Sequence, residues 1–331
     1  MLLEWILGFV FLIVRLSIVL IVLLTAAAYL VWVERKLLGR MQARYGPNRA
    51  GKFGLLQPLA DLVKLITKED TVPEEANRGI FLLAPGLVGL VALLIFAVVP
   101  LGKNILLRGR PIPLVVTDLN IGLLFILALS SVSVYGIALG GWGSNSKYSL
   151  LGGIRGVAQM ISYEIPLGLS LVPVVMLARS FSLVEITNAQ SARPFILAQP
   201  ISFILFFIAA LAEIKRIPFD LPEAENELGA GYHTEYSGMR FGLFFLGEYI
   251  TMIILGSLIA VFFLGGWHGP FLPPILWFVL KVGIIVFALI WFRATFPRIR
   301  YDQLMSVGWK VLIPIALLNI MATGALVLGK S

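Results

Sequence analysis

Cysteine is absent from this chain of 331 residues, and histidine occurs only twice, at His233 and His268. Cysteine thiolates hold iron–sulfur clusters and pair into disulfides, so this chain alone builds neither. Two histidines without cysteine also make a zinc site implausible. We therefore expect no redox centre and no cofactor held by this chain, and electrons must come from elsewhere if they come at all.

Charge is also scarce. Only 13% of the residues are charged, where soluble domains carry about a quarter. Hydrophobic residues make up 59% of the chain, and the mean hydropathy is +0.95. A soluble core of this size needs a polar surface that these residues cannot supply. Lipid is therefore the expected solvent for most of the chain.

Long apolar stretches predict the fold class, an all-α integral membrane protein with about eight transmembrane helices, since about 20 apolar residues cross a hydrocarbon core. They lie near residues 5–33, 79–101, 120–142, 156–178, 195–214, 241–265, 275–293 and 309–329. We expect one polytopic membrane domain over residues 1–331. Its first stretch is a span and not a removable signal, because it lacks a basic start and a cleavage site. The two histidines then lie in loops on opposite faces, which rules out a haem held by both.

Lysine and arginine concentrate in alternate loops, which predicts the orientation. Residues 34–78, 143–155, 215–240 and 293–310 hold 18 of them, and the opposite loops with the C-terminal tail hold six. By the positive-inside rule the richer loops are cytoplasmic. Both termini then face the outer side of a bacterial plasma (inner) membrane. The net charge of +8 forms no long basic tract, which argues against nucleic acid as a partner.

The first cytoplasmic loop contains a predicted amphipathic helix. Apolar residues recur at helical spacing, at Leu55, Leu59, Leu62, Val63 and Ile66. Asp61 and Lys64 fall on the opposite side. Such a helix either lies along the lipid headgroups or docks a soluble partner, and both interpretations stay open.

Three glutamates fall in or near predicted spans: Glu164, Glu213 and Glu248. An ionisable group near the bilayer centre costs at least roughly 2.5 to 3.5 kcal/mol, so it usually faces a wet cavity or another polar group. Pro166 follows Glu164 closely and can open the helix there. The three glutamates together suggest a proton relay. The alternative for each is a hydrogen bond to a neighbouring helix.

A second acidic group lies in the loop after the fifth span, at Glu223, Glu225, Glu227 and Glu235. In an extended segment the first three would project to one side, about 7 Å apart. Their mutual repulsion would raise some of the carboxyl pKa values and allow proton exchange near neutral pH. If the loop is open to water, screening removes most of this effect and the cluster is a solvated surface.

Three phenylalanines begin the sixth span at helical spacing, Phe241, Phe244 and Phe245. They would share one face of the helix. Such a stripe is ordinary packing or lipid contact, or else a wall for a long apolar ligand that enters from the bilayer.

Nucleotide binding is excluded because Gly141–Lys147 lacks the spacing of a P-loop and follows a span, where a strand is required.

Several longer strings stand out: Glu34–Gly39, Gly46–Arg49, Asn145–Gly152, Pro218–Ser237 and Arg300–Met305. Together they resemble the H, or heel, membrane subunit of proton-pumping NADH:quinone oxidoreductase, respiratory complex I. The resemblance covers nearly the whole chain. It implies a connector between the membrane arm and the peripheral arm that forms the membrane entrance of the quinone chamber. The implied partners are the adjacent membrane-arm subunits, the peripheral-arm subunits of the quinone site, quinone as substrate, and lipid.

The resemblance also implies roles for residues. Quinone-binding positions are Glu34, Arg35, Arg44, Asp61, Phe241, Phe244, Phe245 and Arg293. Positions that couple quinone chemistry to proton transfer are Glu164, Glu213, Glu223, Glu225, Glu227, Glu235 and Glu248. A lipid quinone would enter between the first, sixth and seventh spans. Some relatives carry a third-span glutamate, whereas this chain has Ser130, Ser131, Val132 and Ser133 there, so that route would need hydroxyls and water.

Two other functions are compatible with a membrane chain of this kind. A self-sufficient secondary transporter would need paired repeats with matched broken helices, and the sequence contains no convincing internal repeat. The anchor of a related membrane-bound hydrogenase would lack the quinone step. The arginines and phenylalanines of the predicted tunnel favour quinone.

The absence of cysteine makes the orientation testable by single introduced cysteines. Ser191→Cys and Ser331→Cys should react with an impermeant maleimide in intact cells, because the charge asymmetry puts both residues outside. Ala50→Cys should react only after permeabilisation. Labelling of Ala50→Cys in intact cells would reverse the predicted orientation.

Overall fold

The structure is a computed structural model that describes residues 2–103, 105–107, 110–112 and 114–329. Ser331 and the side chain of Glu225 are outside the described part. The chain forms two compact units, Met1–Lys64 and Leu65–Ser331. The prediction of one domain over the whole chain stays a prediction.

The first unit contains one long apolar helix and most of a short amphipathic one. Helix α1 runs over Leu2–Met41, a 3-10 turn over Lys52–Gly54, and α2 over Gln57–Thr67, across the boundary between the units. No residue of α2 is buried, and Leu59, Val63 and Ile66 are all exposed. The predicted amphipathic helix is confirmed, with Leu55 just ahead of its first turn.

The second unit is helical apart from a small hairpin. The hairpin pairs β1 (Ile105–Leu107) with β2 (Arg110–Ile112) in antiparallel register, Ile105 opposite Ile112. The helices are α3 Arg78–Phe96, α4 Gly122–Gly143, α5 Lys147–Ala178, α6 Leu183–Ala189, α7 Phe195–Ala198, α8 Pro200–Glu213, α9 Glu225–Leu228, α10 Gly238–Phe263, α11 Pro274–Thr295, α12 Tyr301–Val307 and α13 Ile313–Leu328. A 3-10 turn covers Gly231–His233, and a π turn at Gly308–Leu312 joins α12 to α13.

Seven helical stretches in the described residues are long and apolar enough to cross a membrane. The last of them combines α12, the π turn and α13 as Tyr301–Leu328. This supports the predicted all-α membrane fold. Helix α5 continues through both Pro166 and Pro173, so the expected opening near Glu164 is not seen.

The fifth predicted span, residues 195–214, is broken into α7 and α8. Gln199 has φ −134° and ψ 58°, and Pro200 begins α8. Proline lacks an N–H, and its ring disfavours helical geometry in the residue before it, which explains the break. The 14 residues of α8 reach about 21 Å, less than the ~30 Å of a hydrocarbon core. Gln199 donates a 2.9 Å hydrogen bond to Thr323 in α13.

The loop between α8 and α10 packs closely against α3, α5 and α10. A Cβ at Gly152 of α5 would lie 2.7 Å from the Gly231 backbone, so only glycine permits this approach. The Tyr236 ring stacks on Phe81 with 4.0 Å between centroids, and its hydroxyl donates to the Phe81 carbonyl. Tyr232 joins them in the core with Phe244. The loop is therefore part of the core and not a free connector.

Candidate functional site

The acidic loop is folded, not extended. Residues Glu225–Leu228 form α9. Glu223 accepts a 3.2 Å hydrogen bond from the Tyr232 hydroxyl, whereas the exposed Glu227 pairs with Arg155 of α5 at 2.6 Å. Glu235 is half-buried. Glu223 and Glu227 therefore do not share one side as the extended arrangement would require, because Tyr232 and Arg155 of α5 hold them in different places.

The inner side of this loop encloses a cavity of about 50 Å³, the loop cavity. It is lined by charged groups and one aromatic ring: Lys215, Arg216, Asp220, Glu223, Phe245, Glu248 and Arg293, together with Ile217. Three basic and three acidic side chains therefore face it. The Arg216 guanidinium pairs with the Glu248 carboxylate, and both side chains are largely buried. Asp220 pairs with Arg298 at 3.0 Å.

Burial changes the protonation of the loop residues. It raises the pKa of Glu223 to about 8, and the charge of Glu248 adds to this while Lys215 opposes it. Burial likewise raises the pKa of Asp220 to about 6, although Arg298 opposes the rise. Burial lowers the pKa of His233 to about 4. His233 is therefore neutral at pH 7, and its 3.8 Å contact with Glu223 is not an ion pair.

A second cavity of about 70 Å³, the membrane cavity, lies among α3, α4, α5, α8 and α10. Its polar wall contains Ser130, Ser133, Glu164, Glu213, Lys215, Glu248 and Thr251. A single water needs roughly 10 to 15 Å³ of such volume and two to four polar partners, so the cavity has room for several. The three glutamates that the sequence indicated, distant along the chain, are brought to one space.

Hydroxyl groups stand where some relatives are expected to carry a third-span glutamate. Ser130 donates a 3.1 Å hydrogen bond to Glu164, and Ser131 also donates to that carboxylate. The alternative of an interhelical hydrogen bond is therefore realised for Glu164. In the described part of the chain, Oε2 of the buried Glu213 has no hydrogen-bond partner. This oxygen therefore remains available for a water or a proton in the cavity.

The three phenylalanines divide between two roles. Phe244 is buried and meets the rings of Tyr232 and Tyr236 edge to face, which is core packing. Phe241 and Phe245 stack with 6.0 Å between centroids. Phe245 lines the loop cavity beside Arg293. Of the predicted tunnel residues in this unit, Phe245 and Arg293 come together.

The remaining predicted tunnel residues belong to the first unit. Arg35 at the end of α1 pairs with Asp61 of α2 at 2.8 Å, and Gln57 donates to the other oxygen of Asp61. Glu34 is buried and Arg44 is exposed. These contacts fix the polar group on α2 relative to the end of α1.

Sequence reasoning missed several members of the site. It treated Lys215, Arg216 and Arg298 only as topology signals, and it did not single out Tyr232 as a partner of Glu223. The signal available was position, since two basic residues closely follow Glu213 at the end of an apolar stretch. Among the described residues, no three histidine, aspartate or glutamate side chains gather as a metal site.

Comparison with known proteins gives consistent relatives. A family model described as NADH dehydrogenase matches residues 14–324. The chain is 69% identical over 326 residues to the second H-type chain of NADH-quinone oxidoreductase from Syntrophobacter fumaroxidans, covering 98% of both chains. It is 58% identical to the H-type chain of the same enzyme from Syntrophotalea carbinolica, over 97% of this chain and 98% of the relative. It is 61% identical to the first H-type chain from Geobacter metallireducens, over 94% of each chain.

The proton on Glu223 is a measurable consequence of its burial. Because its pKa is raised to about 8, this carboxyl should be protonated at pH 7 and lose its proton as pH rises through that value. Infrared difference spectra should show a carboxylic acid C=O band that disappears over this range and is absent in Glu223→Gln. The control Glu185→Gln, on the exposed side of α6, should keep the band. A band that survives in Glu223→Gln would contradict the assignment.

Proposed function

Because the chain belongs to the NADH dehydrogenase family, as the H-type membrane component of NADH-quinone oxidoreductase, we propose that it couples quinone reduction to proton translocation. The chain is a multi-pass membrane component of an oxidoreductase complex, and other subunits of that complex are its partners. In the proposal it forms part of the quinone entrance and chamber, while other subunits supply the electrons. Its cytoplasmic loops are those rich in basic residues, in a bacterial plasma membrane with both termini outside.

One observation carries the proposal: the loop cavity and the membrane cavity share walls. Of the described residues, Lys215 and Glu248 line both. Five carboxyl groups from four separate parts of the chain are thereby connected, Glu164, Glu213, Asp220, Glu223 and Glu248. Structural packing alone gives no reason to gather five acids around two spaces of water-holding size in an apolar bundle.

The coupling step follows from the charges. Reduction of a quinone creates negative charge and a demand for protons beside the loop cavity. Glu223, whose pKa of about 8 lies close to neutral pH, responds because a modest change in nearby charge is enough to add or remove its proton. A changed charge on Glu223 acts on Glu248 and Lys215, and through them on Glu213 and Glu164. This biases the protonation of the membrane cavity.

The quinone part of the proposal is supported by Phe245 and Arg293. A quinone head presents two carbonyl oxygens that accept hydrogen bonds and a flat ring that packs on an aromatic face. Phe245 and Arg293 supply those groups at the loop cavity. Arg35 of α1 and Asp61 of α2, which pair with each other within the first unit, stay predicted quinone-binding positions.

The coupling role predicts that variants of the membrane cavity lose proton translocation but keep quinone binding. Glu164→Gln and Glu213→Gln keep side-chain shape but cannot change charge, so each should lower the protons moved per electron by about twofold or more. The quinone KM should stay near that of the wild type. The double variant should be little worse than the poorer single one, as expected for one pathway.

Reconstituted vesicles of the whole complex give this measurement, and electron transfer to a water-soluble acceptor upstream of quinone verifies assembly. Glu185→Gln serves as the matched control, because it removes an exposed carboxylate away from both cavities. Wild-type proton-to-electron ratios in both cavity variants would refute the coupling role.

The quinone role predicts a different defect at Phe245. Phe245→Ala removes the aromatic wall of the loop cavity and should raise the quinone KM roughly tenfold, the effect of about 1.4 kcal/mol of lost contact. Upstream electron transfer to the soluble acceptor should be unchanged. Phe271→Ala, which removes a fully exposed ring, is the control. An equal loss of both activities in Phe245→Ala would mean failed assembly and not a quinone contact.

A further inference from the structure

Lys215 has an unusual backbone for its residue type. It follows Ile214 at the end of α8, and its φ of 58° lies in the left-handed region. A side chain with a Cβ is disfavoured there, and glycine or asparagine is the common choice. Strained positions of this kind persist where the surrounding structure holds them, often at functional sites. Here the strain directs a lysine inward, since the residue is only 8% exposed.

Among the described residues, no carboxylate lies at ion-pair distance from the buried ammonium group of Lys215. It lies 5.2 Å above the Tyr232 ring and 3.5 Å from the Tyr232 hydroxyl. Within the described residues it forms no ion pair, whereas its neighbour Arg216 pairs with Glu248. A buried cation normally takes a paired anion, because it has lost its hydration. Lys215 instead rests on an aromatic face, a weaker and more easily exchanged partner.

Carboxyl groups flank this cation from both cavities. From the loop side Glu223 is linked to it through the Tyr232 hydroxyl, which donates to the Glu223 carboxyl. From the membrane side Glu213 lies two residues away, and Lys215 attracts its negative charge. The other ionisable groups around it in the described part of the chain include Glu164 on the membrane side and Arg216, Asp220, His233, Glu248 and Arg293 on the loop side. Lysine has four rotatable side-chain bonds, so its ammonium can approach either carboxyl without movement of the helices.

We propose that the Lys215 ammonium is a movable countercharge shared by the two cavities, which favours ionisation of Glu223 on the loop side or of Glu213 on the membrane side. When Glu223 loses its proton, the ammonium takes the position near Tyr232 that the structure shows, and Glu213 keeps its proton. When Glu223 is protonated, the ammonium turns towards Glu213 and favours release of the Glu213 proton. No covalent step is involved. This inference rests on the coupling role proposed above and adds the group that links the two ends.

The test uses the whole complex with Lys215→Met, which keeps length and removes charge, and Lys215→Arg, which keeps charge. Loss of the cation should move the disappearance of the Glu223 infrared band to higher pH by about two units, the effect expected for one charge within about 7 Å at an effective dielectric near 20. The proton-to-electron ratio should fall about twofold. Lys215→Arg should keep the band at its wild-type pH. Lys147→Met, an exposed lysine at the start of α5, is the matched control for both readouts.

The outcomes separate this inference from the coupling role. A lower ratio with the band unmoved would mean that Lys215 is structural, and would overturn the inference. A shifted band with a wild-type ratio would also overturn it, since the cation would then influence Glu223 without serving pumping. If Glu213→Gln in the same preparation also pumps normally, the coupling role itself fails. If electron transfer to the water-soluble acceptor shows that the Lys215→Met complex has not assembled, Lys215→Gln is used in its place. The same results are expected for it.

Discussion

The buried ion pair between Arg216 and Glu248 is the interaction on which the rest of the site depends. Their side chains are 7% and 11% exposed, and the guanidinium also lies 4.3 Å above the ring of Tyr249. Two charges taken out of water lose hydration that only close pairing restores, and removal of either one strands the other. The pair therefore fastens the folded loop to α10. It also puts a carboxylate of a membrane helix at the wall of a cavity formed by the loop.

Burial by the folded loop decides which acids titrate near neutral pH. Glu223 and Glu227 are four residues apart in one acidic stretch, yet one points inward to Tyr232 and the other outward to Arg155. Water screens an exposed carboxylate, whereas a low-dielectric surrounding penalises its charged form. The contact of Gly231 with Gly152 and the stacking of Tyr236 on Phe81 hold the loop in this shape. Packing that looks purely structural thus produces the electrostatics of the site.

Sequence reasoning predicted the parts of this molecule that depend on local composition. Hydropathy located the spans, helical spacing located α2, and the cost of buried charge pointed to Glu164, Glu213 and Glu248. The helix break at Gln199 was not predicted because the whole stretch is apolar, although Pro200 was a visible signal of it. The sequence left the acidic loop open between an extended row of carboxylates and a solvated surface, since a single sequence does not contain the tertiary contacts that fold it. The partners of charged residues were the feature that the sequence predicted least well, because a pattern of charges does not show which atoms pair with each charged side chain. The ammonium of Lys281 in α11, for example, donates to backbone carbonyls just beyond α10, and backbone carbonyls have no sequence signature.

The serines of α4 bear on how charge is distributed in the membrane cavity. A hydroxyl donates and accepts a hydrogen bond but stays neutral at ordinary pH, so Ser130 and Ser131 extend a hydrogen-bonded path to Glu164 without adding a site that stores charge. A glutamate in their place would add one more negative charge within a few ångströms of Glu164, and the two would repel. With hydroxyls there, the charge of the cavity rests on Glu164, Glu213 and Glu248 among the acids that line it. Arg216 pairs with Glu248, so Lys215, which lines both cavities, is left to balance one further carboxylate at a time.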